Sequence, residues 1–442
     1  MTNISKFKIY SNYGKPPIDV SLAKLTLNYY ESILDHTVRV TASFIDTGNR
    51  TEGKDTGSIL EQIGSNLTAG EKVELQMEDD SKQRIYLDGD YSLRVKEVRN
   101  VIEDTLKTAF TIDFYSKECI DNELVKNRVI KRYDGKITDA VLAILKGDCI
   151  KTPKSVDIDP GINDFNFIGG TEKPFYKLVW LAKRCVPAEV SNSSGNLAGY
   201  FFYEIGSDGR GSGGFKFKSI DKLFEQKPVR KMIFNNTTGL PVGYTTKILD
   251  YSFGSTIDIE QKLLSGSMFS SELRQFDLYE NKYDGEGRNE FDPSVQFNEK
   301  TIGGLEPLKL ASDFLTPASS TKISQKLKDF AVLPIGQSAE EQIKNSTEQN
   351  LTNEEIIRQS SARYNNLFNI KLSVSIYGDF GIHAGDLVHC DFPEISSKKN
   401  PGISKKMSGI YMIVDLCHYI DSNNLTWTRL NLVRDSIGRK PF

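Results

Sequence analysis

Asn369-Ile-Lys-Leu-Ser-Val-Ser-Ile-Tyr377 alternates between apolar and polar residues, and this period of two is that of a β-strand with one buried face. Two further runs follow, Ile410-Tyr-Met-Ile-Val-Asp-Leu416 and Leu425-Thr-Trp-Thr-Arg-Leu-Asn-Leu-Val433. The turn residues Asp421-Ser-Asn-Asn424 predict a hairpin between these two runs. The last part of the chain is therefore predicted to be a β-structure that turns one face toward a core.

The same pattern fills the first part of the chain. Thr37-Val-Arg-Val-Thr-Ala-Ser-Phe-Ile45 and Leu106-Lys-Thr-Ala-Phe-Thr-Ile-Asp-Phe114 alternate in the same way, and Thr56–Gly64 could form one short helix between strands. Several strands at this spacing predict a β-sandwich or barrel over residues 1–117. A β-domain at each end hints at an internal duplication, although no literal repeat is visible.

Between the two ends the sequence changes character. Residues 118–225 are predicted to form an α+β domain, with helices at Thr138–Gly147 and Pro174–Cys185 and a hairpin with a mobile, glycine-rich tip at Gly206–Gly214. Residues 226–262 return to strands, 263–352 are polar and irregular, and 353–442 complete the second β-domain after a helix that opens with the capping pair Thr352 and Glu355. The predicted fold class is mainly β (α+β).

The composition is that of an ordinary globular protein. The chain has 442 residues, 38% of them apolar, with a net charge of -3 and a pI near 6.0, which argues against a basic nucleic-acid-wrapping surface. It has no apolar run long enough for a signal peptide or a membrane span. Its five cysteines are scattered without a CxxC pair and are predicted to be reduced thiols.

Three groups of residues invite a chemical interpretation. Asp157, Asp159 and Asp164 resemble a cation loop, but Pro160 breaks the calcium-loop spacing and a solvated turn is favoured. The Gly206–Gly214 loop lacks the ending of a phosphate-binding loop.

The third group has the residue types of metal ligands: His389-Cys390 and Cys417-His418. Adjacent strand residues point to opposite faces, so each face receives one ligand from each pair, and buried thiols beside half-exposed imidazoles are favoured. The lysines of Ser397–Lys406 are predicted to lie on a solvated loop. No catalytic, cofactor-binding or metal-ligating residue is predicted.

Three stretches in this order resemble the baseplate hub family of T-even-type contractile-tail bacteriophages and, more distantly, the hub-like part of type VI secretion spike proteins. The first runs from Lys173–Cys185 through Gly199–Ile205 and the glycine-rich tip to Gly214–Ser219. The second runs from Glu354–Tyr364 into Ile370–Val388. The third is the closing hairpin, Gly409–Trp427. The long segment 263–352 departs from the family pattern.

The resemblance implies two tail-tube-like β-domains, at 1–117 and at 226–262 with 353–442, plus a spike-facing middle domain at 118–225 with which 263–352 is associated. It implies a non-enzymatic structural protein of the virion tail baseplate, assembled in the host cytoplasm. Its expected partners are two further copies of itself in a homotrimer, the spike protein, tail tube or tube-initiator and other baseplate proteins, and DNA or a tape-measure protein in the lumen. The alternatives are a tail-associated cell-wall or polysaccharide hydrolase and a hub component of a type VI secretion or tailocin particle.

Overall fold

The computed structural model describes residues 2–14, 16–47, 59, 70–104, 107–188, 198–235, 239–254, 353–394 and 402–439, together with four short strands between 272 and 330. The predicted helix at Thr56–Gly64 lies outside these residues except for the buried Ile59, and so does the predicted capping residue Thr352. Within the described part, no helix is both long enough and apolar enough to cross a membrane.

Eight strands make up the first part of the chain. They are β1 (Asn3–Tyr10), β2 (Ile18–Asp19), β3 (Lys24–Ser32), β4 (Arg39–Asp46), β5 (Lys72–Glu78), β6 (Arg84–Leu87), β7 (Leu93–Glu103) and β8 (Thr108–Ser116). In β4 the buried and less buried residues alternate along the whole strand, as the sequence predicts. Six of the strands pair in the order β1-β5-β7-β8-β4-β3, while β2 pairs with β1 and β6 with β5.

The middle part contains short helices packed on a three-stranded sheet. Its elements are α1 (Lys117–Glu123), β9 (Arg132–Tyr133), α2 (Ile137–Leu142), β10 (Val156–Ile158), β11 (Phe167–Ile168), α3 (Pro174–Ala182), β12 (Tyr200–Ile205), β13 (Gly214–Ser219) and α4 (Ile220–Glu225). The apolar stripe of α3 is buried in a separate core with Phe215 and Phe217 of β13. The helix predicted to begin at Thr138 begins one residue earlier, at Ile137, and α2 continues as a π-helix to Asp148.

The last part adds the second set of strands. These elements are β14 (Arg230–Ile233), β15 (Thr246–Phe253), the short β16 (Glu272–Asp277), β17 (Lys282–Asp284), β18 (Glu306–Pro307) and β19 (Lys328–Phe330), then α5 (Asn353–Leu367), β20 (Ile370–Tyr377), β21 (Leu387–Asp391), β22 (Gly409–Ile420), β23 (Thr426–Arg434) and β24 (Ser436–Ile437). Six of them close into a barrel in the order β14-β21-β22-β23-β20-β15, with β15 returning to β14. The predicted hairpin of β22 and β23 is confirmed.

The two sets of strands have the same order. In each set we number six strands from one to six in chain order: β1, β3, β4, β5, β7 and β8 in the first set, and β14, β15, β20, β21, β22 and β23 in the second. With these numbers, the neighbouring strands in both sets follow the order one-four-five-six-three-two. Five strand pairs occur in both sets, and four of them have the same direction in the two sets. The exception is the pair of strands one and four, since β1 is antiparallel to β5 whereas β14 is parallel to β21. The first set is also left open between β3 and β1, where the second is closed. The mainly β fold class is confirmed, and the likeness of its two ends lies in strand order and not in residue identity.

The two sets are fused through the longest strand of the second. The first residues of β22 pair with β21 and help to close the barrel, whereas Asp415–Ile420 pair antiparallel with Leu27–Ser32 of β3. Eight strands therefore form one antiparallel sheet in the order β7-β8-β4-β3-β22-β23-β20-β15, which we call the fused sheet.

Candidate functional site

One side of the fused sheet, which we call the polar face, is open to solvent along most of its width. The opposite side carries the buried apolar residues of both strand sets. Cross-strand register places small polar and charged residues side by side on the polar face; near the β3–β22 join these are Asn28, Tyr30, Ser32, Arg39, Thr41, Asp113, Ser373, Ser375, Asp415, Cys417, Arg429 and Asn431. A depression of about 820 Å³ lies on this face at the join.

Hydrogen bonds between neighbouring strands run in rows across the polar face. Thr41 donates to Asp113 over 2.6 Å, and Arg99 forms an ion pair with the same carboxylate at 3.0 Å. On the other side of the join, the Ser373 hydroxyl and the Asn431 amide oxygen are 2.7 Å apart. Because these groups satisfy one another, the face presents a hydrophilic and nearly charge-balanced surface without a built cluster for a tightly held ligand.

A buried carboxylate joins the three parts of the chain behind this face. The Glu31 carboxylate accepts hydrogen bonds from the Tyr29 hydroxyl (2.5 Å), the Gly206 amide of the middle part (2.7 Å) and the Ala384 amide of the last part (3.0 Å). His383 Nδ1 lies 3.1 Å from Oε1 of the same carboxylate. Residues distant in sequence therefore meet at one group.

The charges of Glu31 and His383 stabilise each other. Burial alone would lower the pKa of His383, but the charge of Glu31, its hydrogen bond and the charge of Asp386 together outweigh burial and raise the pKa to about 9. Burial alone would raise the pKa of Glu31, yet the charge and hydrogen bond of His383, together with the bond from Tyr29, hold it below its ordinary value. The pair is therefore ionised at neutral pH.

A second buried cluster ties the middle part to the first. Lys154 Nζ lies 2.7 Å from Glu118 and 2.6 Å from Glu204, and all three side chains are almost completely buried. The second oxygen of Glu204 accepts from the Ser116 hydroxyl at 2.6 Å and from the Val38 amide at 3.0 Å. Burial alone lowers the pKa of Lys154, but the charges of both glutamates keep it above the ordinary value.

The glycine-rich loop between β12 and β13 is anchored at its base. The backbone oxygen of Ser207 accepts from the Tyr86 amide over 2.6 Å, and Gly209 lies against the Tyr86 ring. A Cβ atom at Gly206 would lie only 2.1 Å from the Tyr29 hydroxyl oxygen. Glycine is thus required at position 206 by close approach to the first part of the chain and not for phosphate binding.

Replacing Gly206 with alanine is expected to lower the free energy of unfolding by about 1–3 kcal/mol, because the added methyl would overlap the hydroxyl of Tyr29, a fully buried side chain that has little room to move. Gly147→Ala is the matched control: nothing lies within 4 Å of a Cβ there, so stability should change by less than about 0.5 kcal/mol or rise slightly. Urea unfolding followed by tryptophan fluorescence measures both. Equal stability of the two variants would contradict the assigned packing.

The sequence-suggested metal ligands are not brought together. Among the residues that the structure describes, no group of three or more His, Cys, Asp and Glu side chains is placed to hold a metal ion. His389 and His418 are both buried, so the prediction of half-exposed imidazoles was wrong. The reason is that both faces of β21 are covered, while His418 lies on the core side of β22, stacked on Tyr29. Burial lowers the pKa of His418 to about 4.

The aspartates at 157 and 159 also lie elsewhere than predicted. Asp157 belongs to strand β10 and Asp159 directly follows it, so a solvated turn was the wrong assignment. Asp157 pairs with Lys216 and Lys218 at 2.9 and 2.7 Å, and Asp159 shares Lys218 at 2.9 Å. Asp164 is exposed. Of the basic loop, residues 397–401 lie outside the described part, while Lys405 and Lys406 are exposed as predicted.

Solved structures with a similar fold cover almost the whole chain. The tail protein from Neisseria meningitidis MC58 aligns over 97% of this chain and 96% of its own, with a TM-score of 0.53 and 9% identity. The 43 kDa tail protein of prophage MuSo2 from Shewanella oneidensis covers 98% and 100%, with a TM-score of 0.53 and 11% identity. A component of the E. coli type VI secretion system covers 100% and 79%, with a TM-score of 0.45 and 7% identity.

No protein-family model and no curated protein sequence matches the chain. The first two structural similarities show that it has the fold of phage tail proteins.

Proposed function

We propose that this chain, which has the fold of phage tail proteins, is a structural subunit of the baseplate hub. Three copies would form a ring of six similar β-modules that joins a hexameric tail tube to a trimeric spike. The observation that carries the proposal is the repeated strand order of the two strand sets and their fusion into one sheet. One chain with two like modules can meet sixfold symmetry on one side and threefold symmetry on the other.

The domain division that goes with this proposal follows the two strand sets. Residues 1–117 would form the first tube-like module, and 226–262 with 353–442 the second. Residues 118–225, with 263–352, would face the spike. The Glu31 cluster joins all three parts, and Glu204 of the Lys154 cluster accepts from Ser116 and Val38 of the first part, so both buried networks support such a rigid arrangement.

The polar face is the surface we assign to the lumen. It is hydrophilic across strands from both modules, and its charges of opposite sign are interspersed, as in the Arg99–Asp113 pair. A surface of this kind lets DNA or a polypeptide pass without holding it, since tight retention of DNA requires many unpaired cations. The hub would work in the virion tail, with tail tube, spike and other baseplate proteins as partners.

The proposal assigns no bond chemistry to the chain. A glycosidase needs two carboxyl groups on either side of a substrate cleft. Two buried carboxylates that do lie near each other, Glu118 and Glu204, share Lys154 and are closed off from solvent. Cell-wall hydrolysis by the purified protein that is abolished by a single carboxylate substitution, with assembly intact, would favour the hydrolase alternative.

Native mass spectrometry of the purified full-length chain tests the proposal. We expect a trimer whose fraction rises with protein concentration, and ring-shaped particles with a central opening in negative-stain electron microscopy. A chain that remains strictly monomeric, both alone and with its spike partner, would count decisively against a hub.

A further inference from the structure

Over the part of the chain that the structure describes, the fused sheet ends in two strands with open edges. On the side away from β8, only Leu93–Val95 of β7 have backbone partners: Leu93 and Arg94 pair with β5, and Val95 forms hydrogen bonds with Gly70 and Glu71. On its outer side β15 pairs with β14 only at Thr246 and Lys247. Among the residues that the structure describes, no strand pairs with Lys96–Glu103 or with Ile248–Phe253 on these sides. Open edges of this length attract another strand.

The directions of the two end strands allow a second copy to continue the sheet. All eight strands of the fused sheet are antiparallel to their neighbours, so β7 and β15 run in opposite directions. Placing β7 of a second copy beside β15 therefore preserves the antiparallel alternation. The contact between β15 and β7 of two copies would then have the same form as the contact between β3 and β22 inside one chain.

Matching β-bulges fix which residues correspond in the two strand sets. The β3–β4 ladder shifts register between Lys24 and Thr26, and the β15–β20 ladder between Ile248 and Asp250. Aligning these bulges makes Asn28 of the first set equivalent to Ser252 of the second.

A second pair of bulges gives the other side of the join. The β7–β8 ladder shifts between Val95 and Glu97, and the β22–β23 ladder between Ile413 and Asp415. The β7–β8 ladder has a second register shift between Arg99 and Ile102. When the residues beyond the first bulges are counted along both ladders and this shift is included, Ile102 of β7 is equivalent to Tyr419 of β22. The two alignments are consistent with each other. The first makes Thr41 equivalent to Ser373, the second makes Asp113 equivalent to Asn431, and Thr41 is paired with Asp113 just as Ser373 is paired with Asn431.

We propose that β15 of one copy pairs antiparallel with β7 of a second copy, with Ser252 opposite Ile102, as Asn28 is opposite Tyr419 within the chain. This inference rests on the proposed function and names the seam at which the ring closes. It also accounts for two apolar side chains on the β7–β8 hairpin, Val101 and Ile102, which are 47% and 67% exposed in the single chain. Pairing with the second copy would bury part of this apolar surface, since Tyr419 at the position equivalent to Ile102 is only 38% exposed.

Disulfide trapping in the full-length protein tests the seam. The variant Ser252→Cys with Ile102→Cys should form covalent dimers and trimers on mild oxidation, because directly opposed residues of antiparallel strands have Cα atoms about 4.5–5.5 Å apart, within disulfide reach. The matched control is Ser373→Cys with Ile102→Cys. Ser373 lies opposite Ser252 but one strand further in, about 10 Å from the partner, and should not crosslink. Each single-cysteine variant controls for the native thiols.

The outcomes separate the seam from the function. Crosslinking of the Ser252 pair without crosslinking of the Ser373 pair supports the seam and its register. Trimers in native mass spectrometry that do not crosslink through Ser252 and Ile102 overturn the seam and leave the hub function standing. A chain that neither forms trimers nor crosslinks overturns both.

Discussion

Replacing Glu31 with glutamine should lower the free energy of unfolding by about 3–5 kcal/mol, which is the range for breaking a buried ion pair from one side. The carboxylate accepts from Tyr29, Gly206 and Ala384 and faces His383. Glutamine keeps the shape but replaces one acceptor oxygen by an NH₂ group, which opposes a donor. The imidazole also loses its counter-charge in a buried place.

The same substitution should change the pH dependence of stability. The pKa of His383 is raised to about 9 in the folded chain, against about 6.5 when unfolded. Because protonated His383 is favoured in the folded chain, its contribution to the free energy of unfolding is fully present below pH 6.5 and is lost as the pH rises to 9. Because a tenfold difference in proton affinity corresponds to about 1.4 kcal/mol, the loss amounts to roughly 3 kcal/mol in all. The free energy of unfolding of the wild type should therefore fall between pH 6.5 and 9. In Glu31→Gln it should change much less over the same pH range.

Urea unfolding at pH 6.5, 7.5, 8.5 and 9.5 measures both effects. Glu78→Gln is the control, because its pair with Arg84 is partly exposed, with 51% of the Arg84 side chain accessible, and should cost less than about 1 kcal/mol. If Glu31→Gln kept the wild-type slope between pH 6.5 and 9.5, the assigned ion pair would be wrong.

Strands with one buried face could be predicted from the sequence because their period is local. In β20 the residues facing the core alternate with residues facing out, as the run Ile370–Tyr377 implies. Periodicity carries no such signal where both faces of a strand are covered. All five residues of β21 are buried, so His389 and Cys390 follow no alternation and the burial of His389 could not be inferred.

The fusion of the two strand sets has no local signal. Pairing of β3 with β22 joins residues almost four hundred positions apart, and nothing in Leu27–Ser32 specifies Asp415–Ile420 as its partner. The matching bulges likewise appear only in the ladders, since a bulge is a property of two strands. The resemblance to hub proteins suggested like modules at the two ends, whereas the structure supplies the strand order and the register.

The junction clusters were missed for a different reason. Lys154 stands in Lys151-Thr-Pro-Lys-Ser155, a polar stretch with a proline that is typical of an exposed loop. Its burial depends on Glu118 from α1 and Glu204 from β12, which come from distant positions. A charged residue surrounded by polar neighbours in sequence therefore gives no sign of a buried ion pair.

Lys154→Met should lower the free energy of unfolding by about 3–5 kcal/mol near neutral pH, the same range as Glu31→Gln. Methionine fills much of the same volume but leaves Glu118 and Glu204 facing each other in a buried site without a cation. Burial already raises the pKa of Glu204 in the intact chain. Without Lys154 the burial of the Glu204 carboxylate is no longer offset by a cation, so Glu204 is forced toward protonation and the variant should recover part of its stability as pH falls from 7 to 5.

Lys117→Met supplies the matched control for that experiment. Its ammonium lies 3.7 Å from Asp121 and the side chain is 54% exposed, so the loss should stay below about 1 kcal/mol and show no recovery at low pH. Thermal and urea unfolding at pH 5 and 7 compare the two variants with the wild type. The triple substitution Lys154→Met, Glu118→Gln, Glu204→Gln should restore part of the stability lost in Lys154→Met, because it removes the uncompensated charges. If the Lys154→Met deficit were the same at both pH values and unrelieved in the triple variant, lost packing and not buried charge would be its cause.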